Sequence, residues 1–147
     1  MNNLAGHISS LPRLQDAVPY NLFIVDEDID ISQQVARQGE RLGWSCVICN
    51  KPAHLAKEMT LRPGPALVLI DVDLREDREG EILECLGQVE QPLRLRFVTG
   101  INGAHVVAAS LMARARDFSV GTSLLKPFNP ESLQRMLMRE RLELENR

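Results

Sequence analysis

Long apolar runs are missing from this 147-residue chain, and so is any large excess of one charge. No uninterrupted apolar stretch approaches the roughly 20 residues of a membrane-crossing helix, so no membrane partner is expected. A net charge of −3 gives no electrostatic argument for binding nucleic acid. Met1 to Tyr20 has no basic start followed by an apolar core. It therefore does not read as a secretory leader, and a cytoplasmic location is expected. Cysteine is scarce, and the odd set Cys46, Cys49 and Cys85 argues against a disulfide framework. Cys46 and Cys49 form a C-x-x-C, which invites a redox or zinc reading. They fall on a stretch that reads as a strand, where residues three apart face opposite sides. Buried or half-buried core thiols are the expectation. His7, His54 and His105 show no metal-ligand spacing. Internal repeats and low-complexity segments are absent as well.

What is present is ordinary for one folded domain: 44% hydrophobic and 25% charged residues over a length sufficient to bury a core. Its organising stretch is Ala66-Leu67-Val68-Leu69-Ile70-Asp71-Val72-Asp73. Five apolar residues run without a break and stop at a carboxylate. Arg62-Pro63-Gly64-Pro65 precedes them and the charged run Arg75 to Glu81 follows, so the stretch reads as a strand buried on both faces. Ligands of open parallel sheets bind outside the carboxyl ends of the strands, which is where Asp71 falls. Asn21 to Val25 repeats the pattern and ends in Asp26-Glu27-Asp28. Carboxylates brought within a few ångströms of each other take up a proton or bind a cation. Hard oxygen donors suit Mg²⁺.

The rest of the chain alternates. A helix from about Ile31 to Leu42 is capped by Asp28 or Asp30 and stopped by Gly43. A strand over Ser45–Cys49 leads to a helix at about Pro52–Thr60, with proline in its first turn. After Asp73 the charge run Arg75 to Gly80 reads as a solvated loop. Helices at about Glu81–Val89 and Ala104–Arg116 flank a strand at Leu93–Val98. A fifth strand, Val120–Leu125, ends at Lys126-Pro127-Phe128. Asn129-Pro130-Glu131 starts a last helix with the apolar stripe Leu133, Met136, Leu137 and Leu144. Five strands alternating with five helices predict an α/β fold, a parallel sheet covered on both faces.

Four strand-end motifs then stand in order: Val25-Asp26-Glu27-Asp28, Leu69-Ile70-Asp71-Val72-Asp73-Leu74, Val98-Thr99-Gly100 and Leu125-Lys126-Pro127-Phe128. In this the chain resembles the receiver domain of bacterial two-component response regulators (CheY-like), over about Asn21 to Leu137. The resemblance implies a flavodoxin-like (βα)5 three-layer sandwich with strand order 2-1-3-4-5. It divides the chain into an N-terminal extension (1–20), a receiver domain (21–138) and a C-terminal helix extension or connector (139–147). It implies that Asp71 accepts a phosphoryl group from a sensor histidine kinase or phosphotransfer protein. Mg²⁺ would be held by Glu27, Asp71 and the backbone carbonyl of Asp73, with Asp26 acting mostly through a metal-bound water. Lys126 would pair with one phosphoryl oxygen and Thr99 would hydrogen-bond another. The output face would be the fourth helix, fifth strand and fifth helix, where receivers often form homodimers.

This sequence departs from the family pattern in several places. Asp26-Glu27 stands where two aspartates are usual. The loop after Leu74 lacks the usual Pro-Gly. Ser123 occupies the place of a switch aromatic, and Gly100 that of a common alanine. The span from Thr99 to Lys126 is longer than in most receivers. With Gly121, it resembles receivers joined to cyclic-di-GMP phosphodiesterase (EAL) domains. Arg139 to Glu145 then reads either as a connector to an output domain beyond residue 147 or as an ordinary solvated last helix. Two other functions stay open. One is a receiver-shaped interaction module that works without phosphorylation. The other is a flavodoxin-like or haloacid-phosphatase-like enzyme, disfavoured because acids replace a phosphate-cradling loop after the first strand and no cap domain fits.

Overall fold

A computed structural model describes residues 19–73, 78–100 and 103–146. Most of the proposed N-terminal extension lies outside these residues, as do Leu74, the first half of the charge run (Arg75 to Asp77), Ile101 and Asn102. The described chain alternates strand and helix throughout. The elements are β1 (Asn21–Val25), α1 (Ile29–Arg41), β2 (Ser45–Cys49), α2 (Pro52–Leu61), β3 (Ala66–Asp71), α3 (Glu79–Leu86), β4 (Leu93–Thr99), α4 (Gly103–Ala115), β5 (Leu124–Leu125) and α5 (Pro130–Glu145). All strand pairings are parallel, in the order β2-β1-β3-β4-β5. This is the flavodoxin-like arrangement, and it sets the ends of β1, β3, β4 and β5 side by side along one edge.

Strand pleating sorts the core into two clusters. Phe23, Val25, Val68, Ile70, Leu95 and Phe97 face α2, α3 and α4, meeting Leu55, Met59, Ile82, Leu86 and Ala109. Leu22, Ile24, Leu67, Leu69 and Val98 face α1 and α5, meeting Val35, Leu133, Met136, Leu137 and Leu144. Cys49 belongs to the first cluster and Cys46 packs against the second, on opposite faces as strand alternation requires. Burial pushes both thiols up to about 12; Glu40 adds to this at Cys46 and Glu58 at Cys49. The two thiols face different sides of the sheet and do not converge on one site, and burial keeps both protonated at neutral pH.

Asp28 caps α1, its Oδ1 accepting from the amides of Asp30 (3.0 Å) and Ile31 (3.1 Å). Inside α1, Gly39 lets the helix lie close on the sheet. A Cβ there would stand 2.7 Å from Cys46 Sγ and 2.8 Å from Leu22 Cδ2. Gly39→Ala should therefore lower stability by about 1–3 kcal/mol of overpacking, less the roughly 1 kcal/mol gained in helix propensity. Urea unfolding measures this, and Cys46→Ala in the same chain should return part of the loss.

The fifth strand is shorter than the expected Val120–Leu125. Leu95 bridges to Val120 and Val98 to Leu124, so β5 takes four steps where β4 takes three. The surplus residue bulges the edge over Gly121 to Ser123. Arg96 Nη1 donates to the Thr122 carbonyl there at 3.0 Å. A Cβ on Gly121 would meet Glu140 Oε2 at 2.6 Å and Arg96 Nε at 2.7 Å, so only glycine fits. The last helix is unbroken through Glu145, and Glu140 and Leu144 within it are buried. At the other end, Tyr20 meets Trp44 edge-on at 6.2 Å and lies under the Arg141 guanidinium at 4.4 Å. No described helix is long and apolar enough to cross a membrane.

Candidate functional site at the strand ends

Asp71 closes β3 and Asp26 follows β1; both are buried, at 6% and 7% exposure. Each carboxylate is fixed by the amide two residues further on. Asp28 N donates to Asp26 Oδ1 at 2.8 Å, and Asp73 N to Asp71 Oδ1 at 2.9 Å. The second oxygens converge on one cation. Lys126, immediately after β5, places Nζ 2.8 Å from Asp26 Oδ2 and 3.3 Å from Asp71 Oδ2. Its stem crosses Gly100, where a Cβ would stand 3.3 Å from Lys126 Cβ. The glycine thus leaves a passage for the lysine.

Burial pushes the Asp71 carboxyl up. The Asp73 amide works against this, the Asp26 charge adds to it, and Lys126 pulls it down, but it stays above the usual range. Burial works to discharge Lys126, yet the bonds and charges of Asp26 and Asp71 outweigh it and hold the ammonium above the usual lysine value. The lysine is therefore charged at neutral pH, and two buried carboxylates share it.

Thr99, the last residue of β4, is 2% exposed. Its hydroxyl is directed to the Asp73 carboxylate. It lies 3.1 Å from Asp73 Oδ2 and 3.2 Å from Asp73 Oδ1. The amide of Gly100 donates to Asp73 Oδ2 at 2.8 Å, and His105 Nδ1 is 3.6 Å from Asp73 Oδ1. The sequence pointed only to the backbone carbonyl of Asp73. Its side chain proves to be the acceptor for the end of β4.

The edge thus brings Asp26, Asp71 and Lys126 together and joins Thr99 to Asp73. Glu27 is exposed, and among the described residues no three His, Cys, Asp or Glu side chains converge on one metal-sized point. The donor set still suits Mg²⁺, which takes one or two carboxylates and keeps several waters. Two buried aspartates whose outer oxygens already meet at a cation are such a pair.

Large apolar side chains are also exposed on α4, β5 and α5: Val107, Leu111, Leu125, Met138 and Leu142. A groove of about 810 Å³ lies along α5, bordered by Thr122, Leu124, Arg135, Met138, Arg139 and Leu142.

No family model matches the sequence, and no curated protein matches it. Solved structures do match. A response regulator from Colwellia psychrerythraea superposes with TM-score 0.68 at 14% identity, covering 86% of this chain and 99% of that one. A response regulator receiver domain protein (CheY-like) from Methanospirillum hungatei JF-1 gives 0.68 at 19% identity, covering 87% and 98%. A response regulator receiver protein from Burkholderia phymatum gives 0.65 at 20%, covering 82% and 93%. The fold is that of receiver domains, across nearly their whole length.

Proposed function

We propose that this chain, with the fold of response regulator receiver domains, is a phosphoacceptor switch in two-component signalling. The observation that carries the reading is the single ammonium of Lys126 between the buried carboxylates of Asp26 and Asp71. Asp71 is the acceptor. One of its oxygens attacks the phosphorus of a phosphohistidine on a histidine kinase or phosphotransfer protein. A P–O bond forms, the P–N bond breaks, and the electron pair returns to the imidazole. Little covalent work falls to the protein, because transfer depends on in-line positioning and charge neutralisation. The Asp73 amide orients the acceptor carboxylate, and Lys126 meets the charge of the arriving group as a point cation. Mg²⁺, when held by Asp26, Asp71 and the Asp73 carbonyl, with Glu27 at the rim, would supply further positive charge. Thr99 turns from Asp73 to the phosphoryl group as the output step.

The exposed apolar residues on α4, β5 and α5 are the face that a second copy or a downstream partner reads, whether separate or linked beyond residue 147. In this reading residues 21–138 form the receiver body, and the last helix runs on from it through Glu145. The protein is a cytoplasmic signalling domain and not an enzyme with a small-molecule substrate. Incubation with acetyl phosphate and Mg²⁺ should give one phosphoryl adduct by intact mass, absent in Asp71→Asn. An adduct that survives in Asp71→Asn contradicts the assignment. No adduct in either, with the fold intact, favours the second reading: an interaction module acting through the same apolar face without phosphorylation.

A further inference from the structure

The Asp73 side chain turns to the end of β4, where it meets Thr99 and Gly100. Asp73 stands two residues after the acceptor, and its amide already orients Asp71. Its carboxylate receives the hydroxyl of Thr99 and the amide of Gly100, with His105 on its outer side. A threonine hydroxyl has one proton to donate. While that proton is directed to Asp73 it is not available to a phosphoryl group on Asp71. To these donors a carboxylate offers what a phosphoryl group offers, a negatively charged oxygen, and such bonds are about twice as strong as neutral ones.

We infer that the Asp73 carboxylate is an internal competitor for the phosphoryl group, holding Thr99 and Gly100 in the resting position. This rests on the receiver reading. Asp73 is a positioning residue: it acts through Thr99 and Gly100, not on the reacting phosphorus. Phosphorylation at Asp71 must draw these donors from one anion to another, and the charge of Asp73 opposes the charge arriving beside it. The resting state is thereby favoured. A charge-assisted hydrogen bond shifts such an equilibrium by roughly tenfold to a hundredfold. In a chain without the switch aromatic, the competition between two anions sets how much phosphodonor the switch requires.

Asp73→Ala removes the carboxylate and keeps the backbone carbonyl. Asp73→Asn keeps the shape and a neutral acceptor, and serves also if the alanine variant folds poorly. The acetyl phosphate concentration giving half-occupancy of Asp71 should fall about tenfold in Asp73→Ala, with Asp73→Asn between it and wild type. Without phosphodonor, the Gly100 amide and Thr99 methyl NMR signals of Asp73→Ala should move toward their positions in the phosphorylated wild type. Adducts forming at the same or higher acetyl phosphate concentration in both variants overturn the competition and leave the receiver reading standing. Unmoved Gly100 and Thr99 signals overturn it too. Absence of an adduct in wild type and both variants overturns the receiver reading, and this inference with it.

Discussion

Alanine at position 140 should cost about 3–5 kcal/mol, a large share of the 5–15 kcal/mol that holds a domain of this size together. Glu140 is fully buried against β4, between two arginines nearly as buried as itself. Its Oε1 accepts from Arg94 Nε at 2.7 Å, and its Oε2 from Arg96 Nε at 2.6 Å and Arg94 Nη2 at 3.0 Å. Arg94 and Arg96 then reach the Ser119 hydroxyl and the Thr122 carbonyl, tying the bulged edge to the same centre. Without the carboxylate two guanidinium groups stay in the interior with no anion between them, which is the main cost of breaking a buried pair. Replacing all three residues together by leucine should recover most of the loss, because the intact cluster has its own desolvation cost. The pH dependence has a definite sign. Burial pushes the Glu140 carboxyl up, but the bonds and charges of Arg94 and Arg96 outweigh it and hold the group below the usual glutamate range. A folded pKa below the unfolded one gives stability that is complete above the unfolded value of about 4.3 and is lost as pH falls through the folded value. In Glu140→Gln the deficit in urea midpoint should therefore be full at pH 7 and shrink in acid. A variant as stable as wild type at pH 7, or a deficit that grows on acidification, would sink this account.

That cluster marks where the sequence stopped being legible. The strand-and-helix alternation and the two-sided core follow from apolar runs and turn residues, the sheet order came with the resemblance to receivers, and the helix ends moved by only a few positions. Arg94 and Arg96 stood in plain view as alternate residues of a strand covered on both faces. Such residues point to one side, and a covered side requires an acid partner. The partner was masked by its surroundings. Glu140 lies in Arg139-Glu140-Arg141-Leu142-Glu143, which reads as a solvated or connecting helix because most of its neighbours are exposed. The bulge in β5 was hidden for a related reason. Gly121-Thr122-Ser123 reads as strand by adjacency, and only the side chains packed against Gly121 force it out of register. At the strand ends, Asp26, Asp71, Thr99 and Lys126 were located by their position after apolar runs. Where Thr99 and Asp73 direct their side chains is a tertiary fact, and local pattern carries no signal for it.

Lys126→Met should be the most damaging single change at the strand ends, and the damage should be reversible by Mg²⁺. The lysine is the cation seen between Asp26 and Asp71, and all three side chains are largely buried. Methionine fills a similar volume and removes the charge. Two carboxylates then face each other in a poorly solvated place, and one must take a proton or the site must open. Protonating an ordinary aspartic acid at pH 7 costs about 4 kcal/mol, which sets a ceiling on the loss. Asp71 is the group that yields, because burial already holds its carboxyl above the usual range, so the true cost falls below that ceiling. A folded pKa above the unfolded one means that the folded state binds the proton more tightly. The variant's deficit should therefore shrink as pH falls from 8 toward 5. Asp71→Asn in the same chain removes one of the opposed charges, and the two substitutions should couple by about 1–3 kcal/mol. A divalent cation at the aspartates should do the same by binding: about 2.7 kcal/mol returns at a hundred times its dissociation constant. Urea midpoints of Lys126→Met with Mg²⁺ and with chelator, at pH 8 and pH 5, measure all of these terms. A variant indifferent to pH, to Asp71→Asn and to Mg²⁺ would mean that Lys126 does not neutralise the aspartate pair. Recovery by the metal but not by acid would instead mean that the carboxylates stay charged and solvated until an ion arrives.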